Sequence, residues 1–299
     1  MSFWRTEFHS VFQIELMSTD SVTLLRQYLE ARRDAGRTHV AISAESVRAL
    51  PGLEARLERR LAAGGEVVAG DAAAAEVEVG AGTVAGGTKA ERLARVRALA
   101  EAAPEARALG TLRETMVFAV GNPEARLMLI GEAPGYQEER QREPFVGPAG
   151  EKLTQILKAM GLPRESVYIS NICKFRPAID GGGDQGTKNR KPTELEMRVC
   201  LPFVMSEIEI VQPVCIVALG ATAAEGMGLS GAVGKLRGQM HQVHGTPMIV
   251  TYHPSYILRE EKEGGGMQVK RQVWEDMLSA MEILGLPISE KQRGYFRAG

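Results

Sequence analysis

The sequence predicts an α/β fold with a largely parallel sheet, on three observations. After Asn122-Pro123, strand-like apolar runs alternate with stretches of helical periodicity, the pattern of βαβ units. The run Leu127-Met-Leu-Ile-Gly131 reads as a buried strand that ends abruptly in Glu132-Ala-Pro134-Gly135. It delivers a carboxylate into a loop at its carboxyl end, where open α/β sheets place ligands. Helix signals fall between the runs: Gly161 and Pro163 stop one helix, and Thr193-x-x-Glu196 opens another as a capping box.

Taken in order, residues 1–62 are expected to make a helical N-terminal extension. Val22, Leu24, Leu25, Tyr28 and Leu29 lie at helical spacing, and a second run passes through Val47, Leu50, Leu53, Leu57 and Leu61. Residues 63–87 are Ala/Gly-rich and read as a linker, leaving 88–299 as the main domain. Within it, Thr88 to Ala103 is helical. Strands are expected over Arg126–Ile130, Val167–Ser170, Val214–Leu219 and Met248–Tyr252. Helices are expected over Pro148–Met160, Thr193–Ile210, Ala221–Met227 and Met267–Leu284, with a loose tail after Pro287.

Composition narrows the function classes. A formal net charge of −1 means that any nucleic-acid role must rest on a local patch. Cys173, Cys200 and Cys215 are too few and too scattered for a disulfide framework, which suits a reduced, cytoplasmic protein. Met1 to Met17 mixes charges with apolar residues and lacks a signal-peptide core, and no segment approaches the roughly 20 apolar residues of a membrane span. His241 and His244 are no metal pair, because their spacing on an extended segment points them to opposite faces.

In a parallel sheet the four strand-end loops converge along one edge. The first loop brings Glu132, Glu138, Glu139 and Phe145; the second, Asn171, Lys174 and Arg176; the third, Gly220 and Thr222. The fourth is His253-Pro-Ser255-Tyr256-Ile257-Leu-Arg259. A single strand-end acid is ordinarily a surface group. A carboxylate, an amide and a histidine at three such ends are a constellation.

The motifs Gly131-Glu-Ala-Pro-Gly135, Pro144-Phe-Val-Gly147, Asn171-Ile-Cys-Lys174 and His253-Pro-Ser-Tyr-Ile-Leu-Arg259 resemble, in order and spacing, those of family 4 uracil-DNA glycosylases. The resemblance runs from about Val117 to Leu284, just over half the chain. It implies a three-layer αβα domain around a four-stranded parallel sheet, and an enzyme that hydrolyses the N-glycosidic bond of uracil in DNA. Glu132 and His253 would be catalytic, the first facing the sugar cation or orienting water, the second donating to uracil O2. Phe145 would stack on the flipped base, Asn171 would read its edge, and Glu138 would bar a thymine methyl group. Lys174, Arg176, Ser255 and Arg259 would meet DNA, with Tyr256 or Ile257 as the wedge that fills the vacated stack and Lys188 to Lys191 adding charge. The implied partner is uracil-containing DNA, bound by a monomer away from any membrane. Two other readings stay open: excision of hypoxanthine or xanthine, and a module that binds lesions or nucleic acid without cleaving.

The chain departs from the family at its iron–sulfur ligands. Family members bind a four-iron, four-sulfur cluster with four cysteines, and here only Cys200 stands at such a position. Pro104 to Arg113 lacks the Cys-x-x-Cys pair, and Phe175 replaces the third ligand. The sequence therefore leads to the expectation of no cluster, no metal and no other cofactor. The long loop from Arg176 to Pro192 holds no histidine, so the covalent trapping seen in a family subgroup is not expected.

Overall fold

A computed structural model of the chain describes residue 84, residues 86–179 and residues 185–296, all within a unit that runs from Ala75 to Gly299. The helices expected over 18–62, most of the 63–87 linker and the Gly181-Gly-Gly183 centre of the long loop lie outside the described residues. Helices α1 (Lys89–Ala102) and α2 (Pro104–Ala108) lead into strands β1 (Leu112–Met116), β2 (Val120–Gly121) and β3 (Leu127–Gly131). Next come α3 (Tyr136–Gln141), α4 (Pro148–Ala159), a 3-10 turn at Arg164–Ser166, β4 (Tyr168–Asn171) and β5 (Phe175–Pro177). The chain continues through α5 (Glu194–Val211), β6 (Cys215–Leu219), α6 (Ala221–Gly226), α7 (Val233–Leu236), β7 (Met240–Val243) and β8 (Thr246–Thr251). Helices α8 (Pro254–Glu263), α9 (Gly266–Ile283) and α10 (Glu290–Arg293) follow.

The main sheet has six strands in the order β2-β4-β3-β6-β8-β7. The four expected strands are its parallel centre, and β2 and β7 add antiparallel edges. Both edges lack an apolar run: β2 is two residues long, and β7 exposes Met240 and Gln242. Along the central strands successive side chains enter different cores. Met128, Ile130, Ile216, Ala218, Met248 and Val250 pack with α1 and α5, whereas Leu127, Leu129, Val217, Leu219 and Ile249 pack with α4 and α9. Period-two alternation between two apolar layers makes a strand apolar on both faces, and it fixes the αβα sandwich.

The sheet order reverses between β3 and β6. From β3 the chain moves outward to β4, then returns to lay β6 and β8 on the other side. A crevice opens where the winding reverses, at the carboxyl ends of β3 and β6. Glu132 follows the first of these strands and Gly220 the second.

Three expectations of local structure are corrected. The stretch from Pro254 onward is helix α8 rather than a loop, and His253 caps it. The tail is docked: Trp274 Nε1 donates to Gln292 O at 2.7 Å, and Gln292 Nε2 donates to Ala159 O at 2.9 Å. The end of the linker packs as well, since Val84 is buried in the α1 side of the core and Arg92 Nε donates to its carbonyl at 3.1 Å. Among the described residues no helix is long and apolar enough to cross a membrane.

Candidate active site

A cavity of about 790 Å³ lies at the carboxyl ends of the parallel strands. Glu132 and Phe145 from the first loop, Asn171 from the second, Gly220 from the third and His253 from the fourth all line it, so four strand-end loops distant in sequence meet there as the parallel topology requires.

Two glycines make the meeting possible. A Cβ on Gly131 would lie 2.4 Å from Asn171 Oδ1 and 2.6 Å from Phe145 Cζ, so the last residue of β3 must lack a side chain for the ring and the amide to approach. A Cβ on Gly150 would lie 1.7 Å from the Phe145 carbonyl oxygen, so the first turn of α4 must be bare beneath that loop. Phe145 itself has a left-handed backbone with φ of 57°, a strain of about 1–3 kcal/mol for a bulky residue. Arg164 Nη2 holds the strained turn by donating to Pro144 O at 2.8 Å and Phe145 O at 3.0 Å. The Phe145 ring lies 5.6 Å from the His253 ring, tilted by 32°.

Helix α8 sets the protonation of His253. The Ser255 backbone N–H donates to Nδ1 at 3.2 Å, and Ser255 Oγ lies 2.7 Å from the same atom. A backbone N–H can only donate, so Nδ1 is bare and Nε2 carries the proton. Burial pushes the pKa down to about 4, which keeps the imidazole neutral near pH 7.

Glu132 has the opposite bias. Burial raises its pKa above the usual carboxylate range, a hydrogen bond from the Thr222 hydroxyl pulls it back, and the charge of Lys191 adds to that pull. Thr222 sits in the first turn of α6, at the third of the strand-end loops that the sequence brings to this edge. Glu138 lines the same cavity with its carboxylate fully engaged: Oε1 accepts from Val146 N and Gly147 N, each at 3.1 Å, and Oε2 accepts from Gly135 N at 3.2 Å. It clasps the Gly135 loop to the Phe145 loop.

The residues expected to meet DNA divide in two. Lys174 is fully buried, and its Nζ donates to Glu207 Oε1 at 2.8 Å and Ser170 Oγ at 2.7 Å, so it braces β4 against α5 and is unavailable to a phosphate. Arg176 is 1% exposed and binds Glu139, Asn189 and two carbonyls of the long loop. Ile257 is 1% exposed in the α9 side of the core and cannot act as a wedge. These three expectations are corrected, because the chain turns those side chains inward after the strand or along α8. Ser255 and Arg259 are exposed at the cavity rim, and Tyr256 stacks on Tyr252 at 5.0 Å beneath the Arg259 guanidinium. In the basic run, Arg190 is taken by Glu196 at 2.6 Å and Lys191 by Glu225, while Lys188 is exposed.

A mixed six-stranded sheet between two helical layers, with a carboxylate, an amide, an imidazole and an aromatic ring around one strand-end cavity, defines an αβα protein with a polar, aromatic-walled cleft. The sequence profile of the Uracil DNA glycosylase superfamily matches residues 118–278, and the chain belongs to that superfamily. It is 38% identical over 175 residues to the Type-4 uracil-DNA glycosylase of Thermotoga maritima, covering 58% of this chain and 84% of that one. It is 34% identical over 165 residues to the Type-4 uracil-DNA glycosylase of Pyrobaculum aerophilum, covering 52% and 80%. The corresponding enzyme of Archaeoglobus fulgidus is 36% identical over 159 residues, covering 48% and 75%.

These matches overturn one expectation. The sequence reading excluded a cofactor, but the chain aligns with Type-4 enzymes, the family whose members bind an iron–sulfur cluster, and a count of cysteines does not establish its absence. Cys173 and Cys200 are buried neighbours that share a hydrogen bond, and Cys200 Sγ also accepts from the Lys174 backbone, which lowers its pKa. Phe175 packs in the same core beneath the Arg107 guanidinium, 5.5 Å above its ring. No group of three His, Cys, Asp or Glu able to hold a metal occurs among the described residues, so they do not supply a four-thiolate set.

Proposed function

We propose that the chain excises uracil from DNA, leaving an abasic site, by hydrolysing the bond between deoxyribose C1′ and uracil N1. The observation that carries this reading is the convergence of Glu132, Asn171 and His253 around the Phe145 ring in one cavity. The names of the Type-4 relatives support it. The reacting nucleotide is flipped out of the stack, because the bond is out of reach inside a duplex. Phe145 stacks on the extruded base, and the Asn171 amide reads its O4 and N3–H edge, offering a donor and an acceptor together.

As the C1′–N1 bond breaks, its electron pair passes to the base and positive charge grows on the sugar. The Nε2–H of the neutral His253 donates to uracil O2 as that oxygen becomes anionic. Glu132 faces the sugar cation and takes a proton from the water that adds at C1′. The released uracil anion is then protonated by solvent. Glu138 gates the cavity against a 5-methyl group, and its three backbone N–H partners hold it too rigidly to swing aside. Ser255, Tyr256 and Arg259 meet the DNA at the rim, with Tyr256 as the wedge. The active unit is a monomer formed by the domain that follows the linker, and it works in the cytoplasm.

The test uses labelled single- and double-stranded oligonucleotides carrying uracil, hypoxanthine, xanthine or thymine, with alkaline cleavage of abasic sites. Cleavage at uracil with thymine untouched is expected. Cleavage at hypoxanthine or xanthine alone would reassign the base, and bound DNA with no abasic product would replace the enzyme with a binding module.

A further inference from the structure

Beside the active site lies a second feature that the mechanism does not use. A cavity of about 450 Å³ is lined by Arg113, Arg140, Arg142 and Arg176, with Glu139 as its one carboxylate. A neighbouring cavity of about 670 Å³ shares Arg113, Thr115 and Glu139 with it and adds Arg107 and Glu114. Together they form a trough with five arginines against two acids. Glu139 is already engaged by Arg113 and by Arg176, at 2.9 Å for the latter. Arg140 and Arg142 have no carboxylate partner among the described residues. Arg140 instead donates to the Tyr136 hydroxyl at 3.2 Å and lies 5.6 Å from the centre of that ring. Arg142 ends α3 in a left-handed conformation, with φ of 55°, and is exposed.

The trough and the active-site cavity flank the same short helix. Gly135 and Glu138 line the catalytic side, and Tyr136, Glu139 and Arg140 line the other. Between them Arg176 Nε donates to Asn189 Oδ1 at 2.9 Å, with Arg176 on the trough wall and Asn189 on the catalytic wall. A polyanion lying over this helix would reach both at once. Guanidinium forks match phosphate oxygens in pairs, and a nucleic-acid strand presents such oxygens in series along its backbone.

We propose that this trough binds backbone phosphates of the DNA strand that flanks the flipped nucleotide, with Arg140 and Arg142 as the direct contacts. The proposal rests on the uracil-excising reading. It moves the DNA-binding charge from Lys174 and Arg176, which are buried, to the exposed end of α3.

The test is the salt dependence of binding. The full-length chain and its Arg140→Gln/Arg142→Gln variant are titrated with a fluorescein-labelled single strand between low and moderate salt. Loss of two phosphate contacts should make the slope of log K against log salt shallower by about 1.4, and by about 1.8 for duplex. Arg140→Lys/Arg142→Lys should restore the slope, and a thermal midpoint equal to wild type shows that the double variant is folded. An unchanged slope in the folded glutamine variant would overturn the proposal. Uracil excision by the wild-type chain is scored separately: excision with an unchanged slope sinks the trough alone, whereas no excision sinks the catalytic reading whatever the slope.

Discussion

At the scale of single residues, burial shifts two groups of the cavity in opposite directions. Burial lifts Glu132 and depresses His253, so the carboxylate ionises late and the imidazole stays neutral. In its proposed role as base Glu132 acts ionised, so kcat/KM should fall on the acid side with a midpoint above the ordinary carboxylate value of 4.5. Glu132→Gln should abolish that limb, and His253→Ala should lower the plateau without moving it, as a pH–rate profile would reveal. The depressed His253 pKa also affects stability. Between about 6.5 and about 4 the unfolded chain binds the proton and the folded chain does not, so its contribution to stability is lost as pH falls through that window. Phe145 yields a separate prediction. Arg164→Ala frees the carbonyls that fix its left-handed turn, so KM should rise several-fold more than kcat falls, since the ring would stack less well. Equal losses in the two parameters would show that Arg164 does not act through the ring. The meeting of Glu132, Asn171 and His253 at one sheet edge was legible in the sequence because each ends or follows an apolar strand, and Phe145 came with them only as part of the long first loop. Arg164 was not legible, because a lone arginine in a 3-10 turn carries no periodic signal.

At the scale of elements, the buried pair under β4 is the clearest case of sequence misread as surface. Lys174 and Arg176 lie beside Asn171 in a strand-end motif, and cations there suggest phosphate contact. The structure turns Lys174 into the core, where Glu207 of α5 meets it with both partners fully buried. Breaking such a pair from one side leaves an unpaired buried charge. Lys174→Met should therefore destabilise the fold by about 3–5 kcal/mol, measured by denaturant titration. A loss below about 1 kcal/mol would place the pair in solvent. The central strands and the long helices were readable from apolar runs and from the Thr193-x-x-Glu196 box. The edge strands β2 and β7 were not, since a two-residue strand and a half-exposed one leave no pattern. Helix α8 was hidden behind the motif at its own start: His253-Pro254 reads as a loop, yet proline suits the first helical position and the imidazole supplies the cap.

At the scale of the whole molecule, the fold explains why distant motifs cooperate. A parallel sheet whose winding reverses between β3 and β6 gathers every strand-end loop on one edge, and that edge carries both the cavity and the basic trough. The domain also begins earlier than the linker composition suggests. Val84 is 4% exposed and its carbonyl is held by Arg92, so a chain starting at Ala75 should be more stable than one starting at Thr88 by about 1.5–3 kcal/mol, the worth of burying one valine. Equal denaturation midpoints would restore the boundary at residue 88.

The central claim is that Glu132 and His253 jointly break a glycosidic bond to uracil. Its most direct test is the single-turnover rate of uracil release from one oligonucleotide, measured for wild type, Glu132→Gln and His253→Ala. Release by wild type is predicted, slowed about 10²–10⁴-fold without the carboxylate and about 10²–10³-fold without the imidazole donor. Variants that release uracil at the wild-type rate, or a wild type that holds the oligonucleotide without releasing any, would contradict it.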